Sequence, residues 1–194
     1  MEKSVVNELA YVQASIGEME TYLLSKELFW PIGGKGPGGG LFPRLTLGGV
    51  LIALARLQAM SDSGELSQKQ LSQLNKVIQG FGVIQSKWRV AFESKIRREL
   101  VSRINQWRNY LDDLEQQLSL HADYYSAEVR VRVIAQLILE SIDDHDSHTV
   151  ELIASLDRRL RRKLNREEFI WELYLKSSFP EDAYWYLYGK PIEV

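Results

Sequence analysis

The residues in this chain best suited to chemistry are a glycine cluster and several blocks of arginine, and both would act on anions. The stretch Gly33-Gly34-Lys35-Gly36-Pro37-Gly38-Gly39-Gly40 holds six of the chain's thirteen glycines. Backbone N–H groups with no Cβ beside them can converge on a negative group. Arg44 follows, and a helix predicted over 45–59 with Thr46 as N-cap carries Gly48 and Gly49 in its first turn, where donors are unshielded and the helix dipole favours negative charge. Lys35, Arg44, Gly48 and Gly49 are therefore the candidate anion site. The stretch is not a phosphate loop, because Lys35 is followed by glycine rather than serine or threonine and no strand precedes it; the dinucleotide pattern lacks its strand too. A flexible linker over 31–44 and close helix packing account for the same glycines. The arginines lie in charge blocks: seven basic against two acidic residues over 84–111, five acidic and no basic over 112–128, and six acidic and no basic over 140–157. Arg158, Arg159, Arg161, Arg162, Lys163 and Arg166 then follow. Opposite blocks can pair across antiparallel helices. Where they do not, Arg97, Arg98, Arg108, Arg158, Arg159 and Arg162 offer a phosphate-binding face for nucleic acid.

Metal chemistry has one candidate stretch, Asp143-Asp144-His145-Asp146-Ser147-His148, whose carboxylates and imidazoles suit a divalent cation. His145-Asp146, with His121 upstream, resembles the HD phosphohydrolases, a helical metal-dependent family. The resemblance implies a metal-dependent phosphohydrolase in which Asp157 stands for the later aspartate. An interhelical turn explains the same residues, with Asp146 or Ser147 capping a helix over 148–163. Glu140-Ser141-Ile142-Asp143 is similar to the ExxD half of the helical nucleotide pyrophosphatases, but the matching acidic pair is missing, since Glu168 and Glu172 are four apart. With no cysteine in the chain, disulfides, thiolate zinc sites, iron–sulfur clusters and a cysteine nucleophile are excluded. No serine–histidine–acid arrangement stands out. The balance leans away from an enzyme, and no cofactor or metal is assigned.

The elements that must position these groups are helical. Val5, Leu9, Val12, Ile16, Met19 and Leu23 recur at spacings of four and three, an a/d seam opening at Ser4 as N-cap and closing before Pro31. Helix 45–59 is apolar nearly all round, hence central and buried. Ser67 and Gln70 form a capping-box pattern opening the next helix, with a kink or short break expected at Gly80-Phe81-Gly82. The longest helix is predicted over 84–118. On its wheel Arg89, Glu93 and Arg103 fall in the apolar sector and Glu99 at its edge, pairing as Arg89–Glu93 and Glu99–Arg103. Val129, Val131 and Val133 alternate like a strand, but the continuation reads as helix. At the aromatic-rich end, 165–194, a helix over 165–175 is capped by Asn165 and Glu168, and a last short helix starts at Pro180 and stops at Gly189.

The sequence thus predicts one all-α domain over 1–194, an irregular helical bundle of about six or seven helices with one long helix. A net charge of -2 excludes a uniformly basic nucleic-acid binder, and local patches must carry any such role. The opening residues do not read as a signal peptide, helix 45–59 is too short to span a membrane, and the expected location is cytoplasmic. The expected function is that of a non-enzymatic interaction or assembly protein, a homo-oligomer or the subunit of a protein partner. Its interface would be the seam residues Val5, Leu9, Val12 and Ile16 with Trp185 and Tyr188 of the aromatic end. The alternatives are a nucleic-acid-binding subunit and a phosphohydrolase-type metal enzyme.

Overall fold

Side-chain caps fix where the helices begin. Thr46, in extended backbone, accepts from the Gly49 N–H and opens α2 (Leu47–Asp62); Ser67 and Gln70 close a complete capping box on α3 (Gln68–Lys87). Asp146 accepts from the Thr149 N–H and opens α8 (Ser147–Arg161), whose last turn carries Arg158, Arg159 and Arg161 on the favourable side of the helix dipole. The computed structural model describes residues 2–144 and 146–192, and side chains within them from Val5 onward. Among the described residues the fold is all-α. Six helices have 11 residues or more: α1 (Glu2–Leu24), α2, α3, α4 (Arg89–Gln116), α7 (Arg130–Glu140) and α8. Single turns α5 (Leu118–His121), α6 (Tyr125–Glu128) and α9 (Glu181–Tyr184) complete the set. The only sheet among these residues is a two-stranded antiparallel ribbon, β1 (Leu164–Arg166) with β2 (Gly189–Pro191).

Packing divides the chain into two compact units, 1–99 and 100–194, and the boundary falls inside α4. In the first unit α1 packs on α2 and α3. Its seam is spent on this core: Val5, Leu9, Val12, Met19 and Leu23 are buried and Ile16 is half-buried. Burying each such side chain contributes ~1.5–3 kcal/mol. Ser4 lies inside α1, which starts at Glu2, so it is not the N-cap.

The glycine segment closes on its own backbone. Trp30 and Leu45 exchange both N–H···O bonds at 3.0 and 2.8 Å, Lys35 bridges to Leu41, and the Gly36 N–H donates to the Gly40 carbonyl at 2.8 Å. Gly34 and Gly39 sit at φ 86° and 77°, where a side chain would be strained. The short break that the sequence allows at Gly80-Phe81-Gly82 does not occur. The helix continues to Lys87 and breaks at Trp88, with φ −113° and ψ 32°. Gly80 instead faces Ile16, whose Cγ2 is 3.5 Å from the place of an added Cβ.

The second unit packs Trp107, Tyr125, Ile138, Leu156, Leu160, Phe179 and Tyr186 into its core. The helix expected over 165–175 is replaced by β1, irregular chain and a 3₁₀ segment over Leu173–Ser178. The ribbon explains Gly189, because a Cβ there would run into the Asn165 carbonyl. The N–H of Ile192 donates to the Lys163 carbonyl at 2.9 Å and fastens the end of the ribbon.

Candidate functional site

The N-terminus of α2 does meet an anion, and the chain supplies it. Gly48 donates its N–H to Glu99 Oε2 at 2.9 Å, while the Gly49 N–H goes to Thr46 Oγ1 at 2.9 Å. Glu99 is fully buried. An added Cβ at Gly49 would stand 2.8 Å from Tyr11 Oη and 2.9 Å from Thr46 Oγ1, so glycine is required for packing. Tyr11 in turn donates to the Arg44 carbonyl at 3.4 Å. Lys35 is exposed, and the Arg44 side chain is turned to the Phe29 carbonyl at 3.4 Å. The donors that the sequence offered to an external anion at Gly48 and Gly49 are therefore in use.

One turn before Glu99, Lys95 performs the converse task. Its ammonium donates to the Ser25 and Glu27 carbonyls at 2.8 and 2.7 Å, just past the end of α1 at Leu24, and lies 4.5 Å from the centre of the Tyr22 ring. Burial, and then the nearby Arg98, lower the Lys95 pKa, with Glu27 acting in opposition. A cation at the end of α1 and an anion at the start of α2 each match the local helix dipole. The sequence placed Glu99 at the edge of the apolar sector and Arg89 within it. Glu99 is instead at the centre of the packing, whereas the Arg89–Glu93 pair forms at 2.8 Å in the open, with the arginine side chain 74% exposed. Arg103 donates to Gln106 at 3.2 Å.

In the second unit the opposite charge blocks do pair. Arg159 bonds Asp112 at 2.6 Å and Glu115 at 2.9 and 3.0 Å; the carboxylate partners, Glu115 first, raise its pKa against the effect of burial, and its hydrogen bond lowers that of Glu115. Arg132, buried, makes a two-pronged pair with Asp157 at 2.9 Å for each bond and lies 4.6 Å from the centre of the Tyr186 ring. Of the remaining residues proposed for nucleic acid, Arg158 and Arg162 are exposed one turn apart at the end of α8, Arg108 donates to Asn105 at 3.2 Å, Arg98 to the Lys26 carbonyl at 3.0 Å, and Arg97 is half-buried. Arg159 is committed to carboxylates. Arg161 lies over Trp185, 3.6 Å from the ring centre.

The aromatic end docks on its own unit. Tyr125 donates to the Tyr186 carbonyl at 2.6 Å, Tyr184 to Glu140 at 2.9 Å, Tyr188 to the Phe179 carbonyl at 2.9 Å, and Trp171 to the Ser126 carbonyl at 2.7 Å. Of the residues expected at an interface, Tyr188 is buried here and Trp185 half-buried, as Val5, Leu9 and Val12 are buried and Ile16 half-buried in the first unit. Tyr186 Oη, also buried, has no hydrogen-bond partner among the described residues.

The histidine stretch caps a helix, as read from Asp146. His145 lies outside the described residues, His148 is exposed, and Asp157, the later aspartate implied by the phosphohydrolase resemblance, is taken by Arg132. Among the described residues no group of three or more histidines, aspartates or glutamates could hold a metal ion. Nor is any described helix long and apolar enough to cross a membrane.

The third histidine belongs to a feature that the sequence reading did not assemble. Gln106, Asn109, Tyr110 and Asp113, one face of α4, oppose Leu120, His121, Tyr124, Glu128 and Val131 across an open cleft of about 610 Å³. Tyr110 holds the two walls together by donating to the His121 carbonyl at 3.1 Å and packing against Tyr125 with ring centres 6.4 Å apart. Burial, and then the nearby Glu128 carboxylate, push the Tyr110 phenol well above its usual range. Tyr124 is 60% exposed and Leu120 54%. The signal was present as two helical repeats, 106/109/110/113 and 120/124/128/131, but nothing in either repeat states that they face each other. Comparison of the chain with protein-family models, curated proteins and solved structures gives no match.

Proposed function

We propose that the protein is a non-enzymatic, cytoplasmic helical interaction protein and that the cleft of its second unit is where a partner docks. The observation that supports this reading is the cleft's composition: a concave surface with exposed Tyr124 and Leu120 beside buried Tyr110 and a rim of polar groups. Apolar, aromatic surface left open in a concavity marks a binding site more often than a scattered exposed residue does. The experiment is to replace Tyr124 with a photo-crosslinking phenylalanine analogue in the producing cells. A discrete adduct is expected, and none from the same analogue at exposed Glu151 of α8. Equal background at both positions would defeat the proposal, as would a stoichiometric divalent ion in the purified protein that disappears in His145→Ala.

A further inference from the structure

Several carboxylates of the second unit are bonded within it. Asp112 and Glu115 are bonded by Arg159, Asp157 by Arg132, and Glu140 by Tyr184 and Gln136. Asp113 and Glu128, which both line the cleft, have no side-chain hydrogen bond or ion pair among the described residues. No lysine or arginine lines the cleft. The cleft thus holds two carboxylates and no lysine or arginine, with His121 also in its lining. Tyr124 lines the same cleft and is exposed, and the face of a tyrosine ring attracts a cation by its quadrupole, most often a guanidinium. The amides of Gln106 and Asn109 sit on the α4 side of the same opening.

From this arrangement we infer that the cleft receives an arginine or lysine side chain of a basic segment on a protein partner, held between the Asp113 and Glu128 carboxylates against Tyr124. The inference rests on the interaction reading above and adds the chemistry of the partner. Charge complementarity selects this occupant over an acidic or purely apolar one, which would leave two carboxylates facing it without compensation. Arginine satisfies the site best, because its planar fork can bond a carboxylate while its face lies on the ring.

The test is titration of the intact protein with a capped Gly-Arg-Arg-Gly peptide, followed by backbone amide NMR. Saturable shifts are expected at Asn109, Asp113, Tyr124 and Glu128, with none from a capped Gly-Glu-Glu-Gly peptide. Both carboxylates are exposed, so Asp113→Asn with Glu128→Gln should keep the parent spectrum elsewhere and weaken binding about tenfold, while Tyr124→Ala weakens it about threefold. The inference is overturned if no saturable shift occurs, if the shifts lie elsewhere, or if the double variant binds as the parent does. It is also overturned if tetramethylammonium binds as tightly as the peptide, which would make the cleft a small-molecule site, or if the adduct from position 124 has twice the chain mass, which would make the occupant a second copy. An adduct with a distinct protein, combined with no peptide binding, would refute the basic partner and leave the interaction reading standing. Peptide binding without any adduct would refute the interaction reading, and the basic partner with it, and leave only an affinity of the cleft for a cationic side chain.

Discussion

Glu99 offers the sharpest test of how the first unit is held together. Its carboxylate accepts from the Gly48 N–H at 2.9 Å with the residue fully buried, at a helix terminus with positive partial charge. A hydrogen bond to a charged group contributes ~1.5–3 kcal/mol, and an anion in a partly buried site at a helix N-terminus up to ~2 kcal/mol. Against these stands the cost of burying the charge itself. Glu99→Gln keeps an acceptor oxygen for Gly48 and loses the charge, so a destabilisation of ~1–2 kcal/mol is expected. Glu99→Ala leaves the N–H with no acceptor, at ~1–3 kcal/mol, and removes a packed methylene worth ~0.8 kcal/mol, so ~2–4 kcal/mol is expected. Urea unfolding followed by far-ultraviolet circular dichroism measures both, provided the slope with denaturant is unchanged. An alanine variant within ~0.5 kcal/mol of the parent, or more stable than the glutamine variant, would refute the reasoning.

Four further outcomes follow from the same geometry. Arg132→Met alone strands Asp157 and should cost ~3–5 kcal/mol in urea unfolding, while adding Asp157→Leu should recover most of it; equal effects of the single and double variants would exclude a paired burial. Tyr186→Phe removes a buried hydroxyl without a partner and should be neutral or stabilising by up to ~1 kcal/mol, so a clear loss in melting temperature would mean that the hydroxyl is satisfied. Gly189→Ala should lower the thermal midpoint, because the ribbon must open by the Asn165 carbonyl to admit the methyl group, and an unchanged midpoint would show that it yields freely. Because the folded pKa of Lys95 lies below the ordinary 10.5, the unfolded chain binds more protons between the two values. The cost of burying the ammonium is therefore relieved as pH rises through that window, so the stability of the parent relative to Lys95→Met should rise there, and a fall would contradict it.

Local chemistry made the helix starts readable. Thr46, Ser67 with Gln70, and Asp146 satisfy N–H groups three residues away, so the information lies within one turn. The glycines were harder, because the same residue type serves different ends: Gly34 and Gly39 supply backbone angles, Gly49 clears Tyr11, and Gly189 clears Asn165. Asn165 looked like an N-cap until its backbone was paired with Lys190, a partner remote in sequence that overrides local preference. Glu99 was misplaced for a similar reason. Its periodicity put it at the border of an apolar face, and the donor that justifies full burial is 51 residues earlier. The arginine blocks were legible as blocks, and Arg159 with Asp112 and Glu115 realises that reading; which carboxylates stay unpaired depends on how α4 meets the 120–131 segment and not on composition.

The tyrosines of the second unit give it a built-in optical gauge. Burial first of all raises the phenol pKa of Tyr110, Tyr125, Tyr184, Tyr186 and Tyr188, so their protons are held while the unit is folded. Once unfolded, each phenol ionises near the ordinary 10.0, so this contribution to stability is complete below that pH and drains away above it. Absorbance of phenolate near the red edge of the tyrosine band should accordingly stay low into alkaline solution and then rise abruptly as the unit opens and several phenols ionise together. The aromatic end thus makes this half of the chain report its own collapse at high pH without any added probe.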